Sequence, residues 1–127
     1  MNITPHFSIS EFHCRDGTPY PELWIEDRLR PLCEALEKIR ADANGPLIIT
    51  SGFRTPSHNK RERGVKHSQH LYGRAADFKC PSVSPKELGE IVKNLMDAGE
   101  IPLGGLKIYE KDGFVHYDQR GSYATWG

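Results

Sequence analysis

Ser68-Gln69-His70-Leu71-Tyr72-Gly73-Arg74-Ala75-Ala76-Asp77 packs an imidazole, a carboxylate, two hydroxyls and a glycine into ten residues. Gly73 argues against a helix here, since glycine is the poorest ordinary helix former. The stretch reads instead as a loop carrying His70, then a strand over residues 74–78 in which Ala75 and Asp77 share a face. His70 and Asp77 can then converge on one ion. The methyl side chain of Ala75 leaves room beside Asp77, and Gly73 lets the loop backbone approach closely. Two donors fall short of the three or four that zinc takes from a protein, so the pair is equally a hydrogen-bonded loop histidine and a strand-end aspartate. A third donor has to decide.

It comes from the last third of the chain. Residues 105–109 and 114–118 are short β-like runs that flank Glu110-Lys111-Asp112-Gly113, whose Asp-Gly is a hairpin signal. In the second run Phe114, His116 and Asp118 alternate onto one face. His70, Asp77 and His116 would give a two-histidine, one-carboxylate zinc site with a fourth position open to water, the arrangement of a catalytic ion. Asp118 is then either a proton acceptor or the partner that orients an imidazole.

Upstream, Ser8 and Glu11 form the reciprocal capping pattern of a short helix, with Phe7 and Phe12 sealing it onto the body of the domain. Residues 14–21 read as loop. Trp24, Leu29, Leu32, Cys33, Leu36 and Ile39 recur at helical spacing from Pro21 to about Arg40, and Pro31 predicts a kink or a restart. Asn44-Gly45-Pro46 ends that element. Leu47-Ile48-Ile49-Thr50 has the continuous apolar character of a buried strand. Ser51-Gly52-Phe53-Arg54 follows, where a strand end can present the Arg54 guanidinium to a cleft; a surface arginine is the plainer alternative. Residues 57–67, with four cations around Gly64, read as an exposed loop, leaving His58 and His67 as spare imidazoles. Ser84, Pro85 and Glu87 open a helix with an apolar stripe of Leu88, Ile91, Val92, Leu95 and Met96, stopped at Gly99.

The chain of 127 residues is the length of a single domain, with 17 Lys+Arg balancing 17 Asp+Glu. Zero formal net charge gives no global field to recruit nucleic acid. Apolar runs fall short of the roughly 20 residues of a membrane helix, and Met1-Asn2-Ile3-Thr4-Pro5 has no secretion-signal pattern, so the expectation is a soluble chain without a leader. Cys14, Cys33 and Cys80 form no C-x-x-C pair and are expected as buried thiols, with a Cys14–Cys80 bridge left open.

Ser68-x-His70-x-x-Gly73-x-Ala75-x-Asp77, preceded by Ser51-Gly52-Phe53-Arg54-Thr55-Pro56-x-x-Asn59 and followed by Phe114-Val115-His116-x-Asp118-x-Arg120-Gly121 and Trp126, resembles the M15 zinc peptidases. These are grouped with lysostaphin, D-Ala-D-Ala peptidases and hedgehog. Phe7-Ser8-x-x-Glu11-Phe12-x-Cys14 and Gly104-Gly105 extend the likeness over nearly the whole chain, closest to small murein endopeptidases and phage endolysins. The resemblance implies a single α+β domain with a central antiparallel sheet flanked by helices. It also implies one zinc ion and hydrolysis of peptidoglycan stem peptides or cross-links, by a monomer acting at the cell wall, phage-released or exported, without nucleic acid or membrane partners.

The same resemblance assigns His70, Asp77 and His116 as metal ligands and Arg54 as a contact for substrate or a developing oxyanion. Ser68 and Tyr72 fall to the wall of the site or to supporting its ligands. Many members place a catalytic Glu or Asp three residues before the last ligand, where this chain has Gly113. Asp118 is therefore the first choice of base, with Asp112 and Glu110 open. A non-catalytic, zinc-stabilised wall-binding or hedgehog-like module is the alternative.

Overall fold

The computed structural model describes residues 1–126. A two-stranded antiparallel ribbon, β1 (Asn2–Thr4) with β2 (Phe7–Ser8), leads into a 3-10 turn over Ile9–Phe12. The Glu11 side chain accepts the Ser8 N–H at 2.8 Å, the capping contact expected of that pair.

The long apolar-periodic stretch is broken where Pro31 requires it. A 3-10 turn (Glu22–Trp24) and a π turn (Ile25–Leu29) precede α1 (Arg30–Ala43), with Pro31 in its first turn, where a missing N–H costs nothing. Leu32, Cys33, Leu36 and Ile39 are buried. Asn44 closes α1 in the left-handed region at φ 53°.

Next come β3 (Ile48–Ser51), α2 (Pro56–Arg61), β4 (Ala75–Lys79), α3 (Pro85–Asp97), β5 (Leu106–Tyr109) and β6 (Phe114–Asp118). Four strands form an antiparallel sheet in the order β3-β4-β6-β5. The architecture is the expected α+β fold. Two local readings change. β3 is an edge strand, not a buried one, and its Ile48 is 44% exposed. Residues 57–61 of the expected loop are helical: Thr55 caps α2 by accepting the His58 N–H at 3.2 Å, and Pro56 sits at its start. One polar turn and a half needs no apolar stripe, so periodicity misses it.

The sheet is two-faced because side chains alternate along each strand. Ala76 and Phe78 of β4 and Val115 and Tyr117 of β6 belong to the apolar core with Leu36 of α1 and Leu88, Val92 and Met96 of α3. Asp77, His116 and Asp118 take the opposite face. Register then decides which of them meet: Asp77 stands directly across from His116, and Ala75 across from Asp118. A slip of β6 by one residue would turn both His116 and Asp118 toward the apolar core and away from Asp77.

Gly73 has φ +69°, and a Cβ built there would lie 2.6 Å from the Tyr20 hydroxyl oxygen, which itself donates to the Gly73 carbonyl at 2.7 Å. Backbone strain and overpacking act together at this point. Gly73→Ala is expected to lose about 1–3 kcal/mol of stability, read as a lower urea midpoint at unchanged slope.

Candidate metal centre

His70 lies on a 3-10 turn (Gln69–Tyr72) that feeds β4. Ser68 caps that turn, its hydroxyl accepting the His70 N–H at 3.2 Å, and Gly73 ends it. The turn is pinned from the other side as well, since the Arg54 N–H donates to the His70 carbonyl at 3.0 Å. His70, Asp77 and His116 are buried, and their donor atoms all lie within 4.8 Å of one another.

The hydrogen bonds at the outer ring nitrogens assign the tautomers. His70 Nδ1 is 2.7 Å from the Gly52 carbonyl, which only accepts, so this nitrogen carries a proton. His116 Nε2 is 2.7 Å from Asp118 Oδ2 and carries its proton for the same reason. In neutral rings the inner nitrogens are then bare lone pairs. Both are aimed at one oxygen, Asp77 Oδ1, at 3.2 Å from His70 Nε2 and 2.9 Å from His116 Nδ1. Three acceptors pointing at each other without a donor are repulsive, and a cation resolves the conflict. The donor set, two imidazoles and a carboxylate, fits a zinc-type ion with a fourth place open.

Without an ion, a proton has to serve. Burial works against a charged His116, yet its bonds to Asp118 and Asp77 outweigh that and raise its pKa above the ordinary histidine value. His70 moves the other way, because burial dominates. Burial would raise the Asp77 pKa, but the two imidazoles override it and hold the carboxyl well below the usual range.

Asp118 is fully buried and heavily engaged. Its Oδ1 accepts from Gly105 N at 2.9 Å, Arg120 N at 3.2 Å and Arg120 Nε at 2.9 Å; its Oδ2 accepts from Arg120 Nη2 and His116 Nε2, both at 2.7 Å. Gly105 permits this approach, because a Cβ there would collide with Asp118 Oδ2. Of the two roles open to Asp118, the one visible here is the orientation of His116.

A cavity of about 600 Å³ opens beside the three donors. Arg54, Ser68 and Asp112 line it, as do Glu62, Arg120 and Trp126, whereas Asp118 does not. Arg54 is held at the rim by Ser51 Oγ at 3.2 Å, Asn59 Oδ1 at 3.3 Å and Asp77 Oδ2 at 3.4 Å. Two expected site residues lie elsewhere. Tyr72 is on the outer surface, its hydroxyl 3.4 Å from His67 Nδ1, because its turn directs only His70 inward. Glu110 faces a neighbouring groove on the β5–β6 hairpin. Glu62 was not foreseen; it follows α2, the helix that polar sequence conceals.

All three cysteines are free and buried. Cys14 is held near Thr55 and Cys80 beside Ser82, so the Cys14–Cys80 bridge is not formed.

No curated protein matches the chain. The family model for Peptidase M15 matches residues 5–118, a span that takes in Arg54, His70, Asp77, His116 and Asp118. With a candidate metal-binding triad beside a cavity and the family model running through nearly every element, the chain belongs to the Peptidase M15 family.

Proposed function

We propose that this chain is a zinc-dependent peptidase that hydrolyses peptide bonds in peptidoglycan stem peptides or their cross-links. The observation that carries the reading is the convergence of His70 Nε2, Asp77 Oδ1 and His116 Nδ1 at a cavity that also receives Arg54. Zinc held there, when bound, supplies Lewis acidity toward a carbonyl oxygen and toward water. Two neutral imidazoles and one carboxylate leave that ion with a net positive charge, which favours such chemistry.

The chain's own groups do the rest. Arg54 presents its fork to the cavity, where it hydrogen-bonds the oxygen that gains charge as the scissile carbonyl turns tetrahedral. Asp118 holds the His116 ring with Nδ1 facing inward. Asp112 and Glu62 line the same cavity and are the candidate groups to take a proton from water and return it to the leaving amine. The wall sets Arg63 and Arg120 beside Tyr109, Phe114 and Trp126, groups able to hydrogen-bond and pack against a short peptide. Asp112→Asn and Glu62→Gln, compared separately, identify the base: its loss lowers kcat by about 10²–10⁴, and the other substitution leaves kcat close to the parent.

Purified peptidoglycan supplies the test, at the cell wall where we place the enzyme's action. Incubation should release free amines in a chelator-sensitive, zinc-restored manner, and mass spectrometry of the muropeptides names the bond. An arginine beside the candidate metal donors, suited to an oxygen that gains charge during hydrolysis, favours a hydrolase over a module whose zinc serves stability alone. Binding to walls without amine release in the presence of zinc would establish the module instead.

A further inference from the structure

We propose that Cys14, Asp16 and His58 form a second metal site that takes a borderline-soft divalent cation of the zinc class. Their candidate donor atoms also lie within 4.8 Å of one another. None belongs to the His70–Asp77–His116 centre.

Two segments far apart in sequence bring these donors together. Cys14 and Asp16 sit on a tight turn closed by Cys14 N to Thr18 O and Gly17 N to Cys14 O, both at 2.9 Å. His58 stands in the first turn of α2. Thr55 joins the two: its N–H points at Cys14 Sγ at 3.5 Å, and its hydroxyl donates to Asp16 Oδ2 at 2.7 Å. Asp16 Oδ1 accepts the Thr18 N–H at 2.9 Å, so the carboxylate is oriented before any ion arrives. The thiol is buried, Asp16 is exposed and His58 is half-buried, which gives solvent access from one side. Among the described residues the His58 ring has no hydrogen-bond partner.

Donor chemistry selects the ion. A thiolate and an imidazole beside a carboxylate exclude calcium and magnesium, which take oxygen ligands, and match zinc with a fourth position left to water. Binding requires the Cys14 thiolate, so its proton leaves to solvent as the ion enters. Thiolate and carboxylate together cancel the charge of a divalent cation, leaving none of the net positive charge of the first centre. A neutral complex of this kind suits a brace. It ties the 14–18 turn to the start of α2, and Thr55 is the neighbour of Arg54, so the brace fixes the segment from which Arg54 enters the cavity.

The experiment measures metal content after equilibration with excess zinc and desalting, and therefore reads out independently of any peptidase activity. The parent should retain two equivalents, His116→Ala one, Cys14→Ser one, and the His116→Ala/Cys14→Ser double variant none. His58→Ala, a substitution of a half-buried residue that leaves the core intact, should remove the same equivalent as Cys14→Ser. Cobalt loaded into His116→Ala should show a thiolate-to-cobalt charge-transfer band that the double variant lacks. A parent with one equivalent that His116→Ala abolishes, a second equivalent that survives Cys14→Ser, or cobalt bound without the thiolate band would each overturn the proposal.

Discussion

His116→Ala is expected to fold, to lose the metal of the His70–Asp77–His116 centre, and to lose hydrolytic activity by about 10³-fold or more, the equivalent of several kcal/mol of Lewis-acid assistance. The fold should survive because His116 lies on the polar face of β6, while Val115 and Tyr117 keep the core face of the same strand. The metal should not, because two donors remain where three are the minimum for a site with one open place. Circular dichroism, metal analysis and turnover on muropeptides check the three parts separately. Asp118→Asn is the informative companion. It keeps all three donors but weakens the contact that holds His116 Nε2, so metal affinity should fall by about 10–100-fold, as for other partners of ligating histidines. Excess zinc should then restore turnover. If turnover stays low at saturating zinc, Asp118 is the proton acceptor after all and the positioning role is wrong.

Arg54→Ala should behave in the opposite way, retaining the metal and losing about 10²–10³ in kcat, the usual effect of removing one oxyanion donor. Arg54 approaches Asp77 Oδ2 at 3.4 Å, whereas the two imidazoles gather at Oδ1, so the donor set does not depend on the guanidinium. Arg54→Lys should recover only part of the loss, because a point charge cannot reproduce a planar fork held by Ser51 and Asn59. Parent-like turnover in Arg54→Ala would remove this residue from the mechanism.

How much of this was readable beforehand follows from the range of each interaction. Helices with an apolar stripe and a cap were legible: Ser84, Pro85 and Glu87 start α3, and Gly99 follows its end with φ +73°. Pro31 announced a break, though not that a π turn would absorb it. Helix α2 was hidden because its signal is a cap, Thr55-Pro56, rather than a period. Tyr72 stands outside the cavity lining, and spacing within a motif cannot tell which side of a single turn faces the cavity.

The His-to-Asp spacing of the opening stretch and the alternation of Phe114, His116 and Asp118 are local properties, so the chain alone determined which residue types could act as ligands and on which strand faces they would stand. Only tertiary structure decided that Asp77 pairs with His116, that Gly105 and Arg120 enclose Asp118, and that Glu62 enters the cavity wall while Glu110 turns away. Those outcomes depend on strand register, on the close approach of segments distant in sequence, and on the direction in which the chain leaves a polar helix at Glu62. No periodicity within one segment encodes them.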